Sequence, residues 1–170
     1  MHFQLSADAL QMEMTLTNLD ERRMPAGLGW HPYFRHVPTA QLRYQASQLW
    51  DSDADFLALS ARPLPAGESF AKARALREGT MTDYLSGWDG LLELSLPEGD
   101  VLQMQTGPAL SHLVVHRPPQ GGYLCIEPVS HVANGFNLAA RGVAGTGTVQ
   151  LARGESICGP MTLRLPASPS

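Results

Sequence analysis

The chain has 170 residues, with 12 basic and 16 acidic side chains and a formal charge of −4. A length of that order fits one domain spanning residues 1–170. Lys72 is the only lysine and no basic cluster occurs, so neither a nucleic acid backbone nor an anionic membrane surface is an expected partner. No apolar run reaches the roughly 18 residues of a bilayer span, and the opening MHFQLSADAL lacks the basic and apolar regions of a secretory leader. The expected compartment is the cytoplasm.

The clearest element lies at residues 10–18, where apolar residues from Leu10 to Leu16 fall on even positions and polar ones on odd positions, the period of a half-buried strand. Short runs of similar character recur at residues 42–49, 91–96, 101–106, 112–117, 123–127, 147–152 and 161–165, each bounded by Gly, Pro, Asn or Asp. Strands at that spacing predict an all-β sandwich or barrel. Pro97, Glu98, Gly99 and Asp100 are turn formers between two such runs and predict a hairpin of residues 91–96 with 101–106. Residues 51–69 show no sustained periodicity and read as a long surface connection. Residues 70–78 are the one segment with helical composition and fit a single turn or an irregular loop equally, and residues 166–170 read as a frayed tail. Cys125 and Cys158 belong to no zinc-type spacing and read as ordinary buried thiols.

Residues 25–34, PAGLGWHPYF, break the strand pattern with two glycines and two prolines around one histidine and three aromatics. A histidine can donate or accept a proton near neutral pH, and Trp30 and Tyr33 offer flat faces to a sugar or aromatic ligand. By itself His31 fits equally a hydrogen-bonded core histidine. Glu127 ends an apolar run directly before Pro128, which can hold a carboxylate at a pocket mouth where burial tunes its proton affinity. By itself it fits a solvated strand-end residue. Asp83 lies in MTDYLSGWDG beside Trp88, a segment able to hydrogen-bond hydroxyls, although turn chemistry alone explains Asp89-Gly90. His112 and His116 share one face of a strand, but no third metal ligand stands at an identifiable spacing. There is no phosphate loop, nucleophile elbow or HExxH.

Taken together, Asn18, the run from Met24 to Phe34, the loop from Asp83 to Gly90, and CIEPVSH at residues 125–131 with Asn134 and Asn137 resemble the aldose 1-epimerase (galactose mutarotase) family. Ala152 to Ser156 is similar to that family's Pro-Gly-Glu turn. The resemblance implies an antiparallel β-sandwich that interconverts the α and β anomers of a free hexose without metal or organic cofactor. It implies His31 as general acid toward the ring oxygen and Glu127 as general base toward the anomeric hydroxyl, with a bell-shaped rate profile. Asp83 matches a sugar-binding acidic position, although its local pattern departs from the commoner one. Trp30, Tyr33 and Trp88 stand beside the matched residues as candidate walls of the cleft. The family's N-terminal region, with a second active-site His and a sugar-contacting Arg, has no counterpart here. The expectation is therefore of a sandwich truncated at its N-terminus, with sheet edges open to self-association. The alternative is a non-catalytic carbohydrate-binding module or an inactive fragment. Arg35, Arg43 and Arg117 are candidates by charge for a phosphate on the sugar.

Overall fold

The computed structural model describes residues 1–35, 38–76 and 79–165. Two antiparallel sheets dominate it. The first holds, in spatial order, β1 (His2–Leu5), β2 (Ala9–Thr17), β15 (Ser156–Arg164), β11 (Val101–Thr106), β10 (Leu91–Ser95), β5 (Gln41–Tyr44) and β8 (Arg74–Ala75). The second runs β4 (Tyr33–Arg35), β13 (Tyr123–Val129), β12 (His112–Arg117), β9 (Met81–Ser86), β6 (Gln48–Ser52) and β7 (Ala58–Pro63). A small ladder pairs β14 (Val149–Leu151) with β3 (Met24–Ala26).

Side-chain alternation makes the sandwich. Leu42, Leu92, Leu94, Met104 and Met161 from the first sheet meet Leu49, Leu85, Leu113, Val115, Leu124 and Ile126 from the second in one buried cluster. Each of these positions is flanked along its strand by residues of the opposite face, so period 2 converts directly into two apolar faces pressed together. β2 follows its sequence pattern, with its even positions half-buried and its odd positions after Ala9 exposed. The hairpin of β10 and β11 forms as the turn residues require, Leu91 pairing with Gln105 and Ser95 with Val101. Its turn closes with Leu96 N–H donating to the Asp100 carbonyl at 2.8 Å.

Four expectations are corrected. The run at residues 42–49 is two strands in different sheets, because the chain crosses the sandwich at Gln45, Ala46 and Ser47. The connection at residues 51–69 contains β7, hidden from a periodicity reading because it is an edge strand whose residues are mostly exposed. The segment from Phe70 to Leu76 forms no helix: Phe70 is fully buried against Tyr44 and Arg74–Ala75 form the edge strand β8, while residues 77 and 78 lie outside the described ones. Among the described residues the α-helix is instead α1 (Gly135–Ala140), six residues long and below the length that periodicity can detect. Cys125 is buried as expected, whereas Cys158 is exposed, because it shares the outward face of β15 with Ser156 and Pro160. The tail at residues 166–170 lies outside the described residues. No helix among the described residues is long and apolar enough to cross a membrane.

Leu113 is fully buried between Leu85 and Pro128 in register and faces the opposite sheet. Leu113→Ala therefore lowers unfolding stability by about 2–5 kcal/mol in urea titrations; a loss below about 1 kcal/mol would show that this cluster does not hold the sheets together.

Candidate active site

The second sheet has two faces, and only one meets the first sheet. On the other, register places side chains in rows. His116 pairs with Thr82 on one side and Cys125 on the other, and Cys125 pairs with Tyr33. One step along, Val114 pairs with Tyr84 and with Glu127. The chain from Gly29 to Arg35 continues this pattern along β13, with Gly29 bridged to Val129 and Arg35 paired with Tyr123. His31, midway between Gly29 and Tyr33, thus stands opposite Glu127 on the same face.

His31 Nε2 lies 3.3 Å from Glu127 Oε1; the histidine side chain is 53% exposed and the glutamate 15%. Burial raises the Glu127 carboxyl above its ordinary range, and the His31 charge opposes that shift without cancelling it. The imidazole of His31 is stacked on Tyr33, ring centroids 4.7 Å apart, and Tyr33 leans on Tyr123.

Local sequence explains the placement. A Cβ on Gly29 would stand 2.5 Å from Val129 Cγ1, so glycine permits the close approach that brings residues 29–35 alongside β13. Trp30 N–H donates to the Pro128 carbonyl at 3.0 Å, and Pro128 has no N–H to return. The ladder is thereby interrupted beside His31, before it resumes at Tyr33.

The pair opens onto a cavity of about 430 Å³ lined by His31, Glu127, Thr82, Tyr84, His116 and His131, with Phe56, Val114, Val129, Val132 and Ala133. Its polar groups are held in place. The His116 Nδ1 and Thr82 Oγ1 lie 2.9 Å apart, and the Tyr84 hydroxyl donates to the Phe56 carbonyl at 2.9 Å. His131 is stacked on Phe136 of α1, and Ser130 Oγ accepts the Leu28 N–H.

Of the residues singled out in the sequence, the fold brings together His31, Glu127 and Tyr33 and sends three others elsewhere. Asp83 lies between Thr82 and Tyr84 and so points to the opposite face of β9; it is buried there, and its charge reaches Arg62, whose main partner is Asp51. Trp30 alternates away from His31: its indole donates to the Gly159 carbonyl and packs in the core. Trp88 is buried in the core, its indole donating to the Leu91 carbonyl. None of the three is among the residues that line this cavity. His112 and His116 do share a face, but His112 is buried with Nε2 at the Gly145 carbonyl while His116 reaches the cavity. The sequence reading missed Thr82, Tyr84, Phe56 and His131. For Thr82 and Tyr84 the signal was available in the period of β9, because residues that flank a core-facing position occupy the cavity face.

The model of the aldose 1-epimerase family matches residues 1–164. The chain belongs to that family. It is 31% identical to the uncharacterised protein YphB of Escherichia coli K12 over 172 aligned positions, covering 96% of this chain and 58% of YphB. A crystal structure of a candidate aldose 1-epimerase from Escherichia coli K12 superposes with a TM-score of 0.84 at 29% identity, over 96% of this chain and 58% of that one. A galactose mutarotase-like protein from Clostridium acetobutylicum shares the fold at a TM-score of 0.80 and 18% identity, with 96% and 54% covered. The chain thus spans little more than half the length of these relatives.

Behind the His31–Glu127 pair, burial lowers the proton affinity of both His112 and His131. A folded-state value below the unfolded one means that the unfolded chain takes up protons first on acidification. Stability is therefore full above the unfolded histidine value of about 6.5 and is lost as pH falls below it through the folded values. The thermal midpoint should fall between about pH 7 and 5.5, and His112→Gln should flatten part of that slope; a midpoint that rises over this window would contradict it.

Proposed function

We propose that this protein interconverts the α and β anomers of a free, unphosphorylated hexose by acid–base opening and closure of the ring. The observation that carries the reading is the His31–Glu127 pair at 3.3 Å on the rim of the cavity. In the proposed cycle the sugar enters between the two groups. Glu127 removes the proton of the C1 hydroxyl while protonated His31 donates to the ring oxygen, so the C1–O5 bond breaks and an open-chain aldehyde forms. Rotation about C1–C2 and the reverse transfers close the other anomer. A carboxyl held above its ordinary range is a stronger base once ionised, which suits the first transfer.

Thr82, Tyr84, His116 and His131 supply hydroxyl and imidazole groups for the sugar's other hydroxyls, and Val114, Val129 and Val132 give an apolar wall. Among the described residues the lining contains no Arg or Lys. That supports a neutral sugar over a phosphorylated one, since a phosphate dianion calls for a cationic partner. Arg43 is engaged with Glu93 on the other sheet, and Arg117 faces the core with its guanidinium on the Gly79 carbonyl. Arg35 lies on the cavity face beyond Tyr33, beside Tyr123.

The test is equilibration of freshly dissolved α-D-galactose and α-D-glucose followed by polarimetry. The protein should accelerate it, and Glu127→Gln or His31→Gln should each lower kcat by about 10²–10⁴-fold. Thr82→Val, which keeps the shape and removes the hydroxyl, should raise KM about 10-fold or less, whereas Asp83→Asn should lower thermal stability and leave KM unchanged. Saturable sugar binding without acceleration would select a carbohydrate-binding module instead.

A further inference from the structure

We propose that His31, Cys125 and Glu127 together form a binding site for a borderline-soft divalent cation of the zinc type, which competes with the sugar for the same pair. One ligand atom from each residue, an imidazole nitrogen, Cys125 Sγ and a Glu127 oxygen, lies within 4.8 Å of the other two. The His31–Glu127 edge of that triangle is already 3.3 Å. In a tetrahedral zinc site with bonds of about 2.0–2.3 Å, ligand atoms stand about 3.3–3.7 Å apart. Closing edges as long as 4.8 Å to that spacing requires side-chain movements of about 1–1.5 Å, within the reach of an exposed histidine on an interrupted ladder.

The donor set selects the metal class. Imidazole nitrogen and thiolate sulfur favour zinc and its borderline neighbours over magnesium or calcium, which prefer all-oxygen shells. A thiolate and a carboxylate supply two negative charges, which neutralise a divalent ion in a pocket where Cys125 is buried and Glu127 nearly so. Three protein ligands leave a fourth position, and two of them, His31 and Glu127, line the cavity.

Burial, reinforced by the neighbouring Glu127 charge, pushes the Cys125 thiol up to about 11. The thiol therefore carries its proton at neutral pH without a cation, and that proton passes to solvent as the metal–sulfur bond forms. The sequence did not expose this grouping, because His31 and Cys125 are remote along the chain and meet only through the pairing of residues 29–35 with β13. Neither His112, bonded to Gly145, nor His116, bonded to Thr82, belongs to the triad.

Cation binding stands on geometry alone; the loss of turnover that accompanies it rests on the acid–base reading above, because the metal occupies the lone pairs that proton transfer needs. The test is a cobalt(II) titration of the whole chain carrying Cys158→Ala, which removes the exposed thiol from the reckoning. The expected result is one equivalent bound with a thiolate-to-cobalt charge-transfer band in the near ultraviolet and the intense visible bands of tetrahedral cobalt, all displaced by zinc. Cys125→Ala should abolish the charge-transfer band, and His31→Gln, at an exposed position that leaves the core intact, should weaken cobalt binding at least ~10-fold. No charge-transfer band at saturating cobalt, an unchanged band in Cys125→Ala, or unchanged affinity in His31→Gln would each overturn the site. These spectra read the metal whether or not the chain turns over sugar, so the two proposals fail separately.

Discussion

The site depends on one pairing, that of residues 29–35 with β13. Gly29 bridges Val129, Tyr33 pairs with Cys125, and His31 between them is fixed opposite Glu127. A slip of one residue would send His31 to the core and bring Trp30 or Pro32 to the cavity, because side-chain direction alternates strictly along a strand. Glycine at 29 and proline at 128 meet opposite demands here. The first lets the chains approach, and the second leaves the ladder open beside the histidine, so that His31 is positioned and still half accessible.

That arrangement carries an electrostatic cost. The second sheet packs its leucines, valines and isoleucine against the first on one face, where Asp83 and Arg117 are buried as well, and presents polar groups beside the cavity on the other. Desolvating Glu127 raises its proton affinity, and the nearby imidazole offsets part of the penalty. The other polar side chains avoid a comparable penalty through partners: Thr82 with His116, Tyr84 with the Phe56 carbonyl, and Trp50 with Ser86, which in turn donates to Gln48. The polar face of the sheet therefore holds separate hydrogen-bonded groups, with Glu127 desolvated beside His31. A carboxylate in that condition is suited to exchange a proton or to accept a cation, and the two proposals for the site draw on the same physical fact.

Membership of the aldose 1-epimerase family and the shared sandwich are established at the level of fold and sequence, over little more than half the length of the relatives matched. Within that span this chain's own residues define a cavity lined by the His31–Glu127 pair, Thr82, Tyr84, two further histidines and an apolar wall. Chemistry at the pair is thus a property that can be tested in this chain directly, without reference to the rest of any relative.

Much of this could be read from the sequence, and the division has a physical cause. Period-2 alternation in β2, the turn formers between β10 and β11, and the density of Gly, Pro and aromatics around His31 are local signals, since strand faces and turns are set by neighbours along the chain. They determined an antiparallel all-β fold and drew attention to His31 and Glu127. Which face of a strand looks into a cavity is set by the partner sheet, and that is nonlocal. Asp83, Trp30 and Trp88 stood in suggestive company along the chain, yet the sandwich turned all three inward, while Thr82, Tyr84 and His116, unremarkable or unplaced in the sequence, faced the site. The same nonlocal pairing alone decided that Cys125 joins His31 and Glu127. The sequence by itself determined most of the central strands and singled out His31 and Glu127. Only the packing of one sheet on the other decided which of their neighbours share the site with them, because alternation fixes that a residue has a face but not what the face meets.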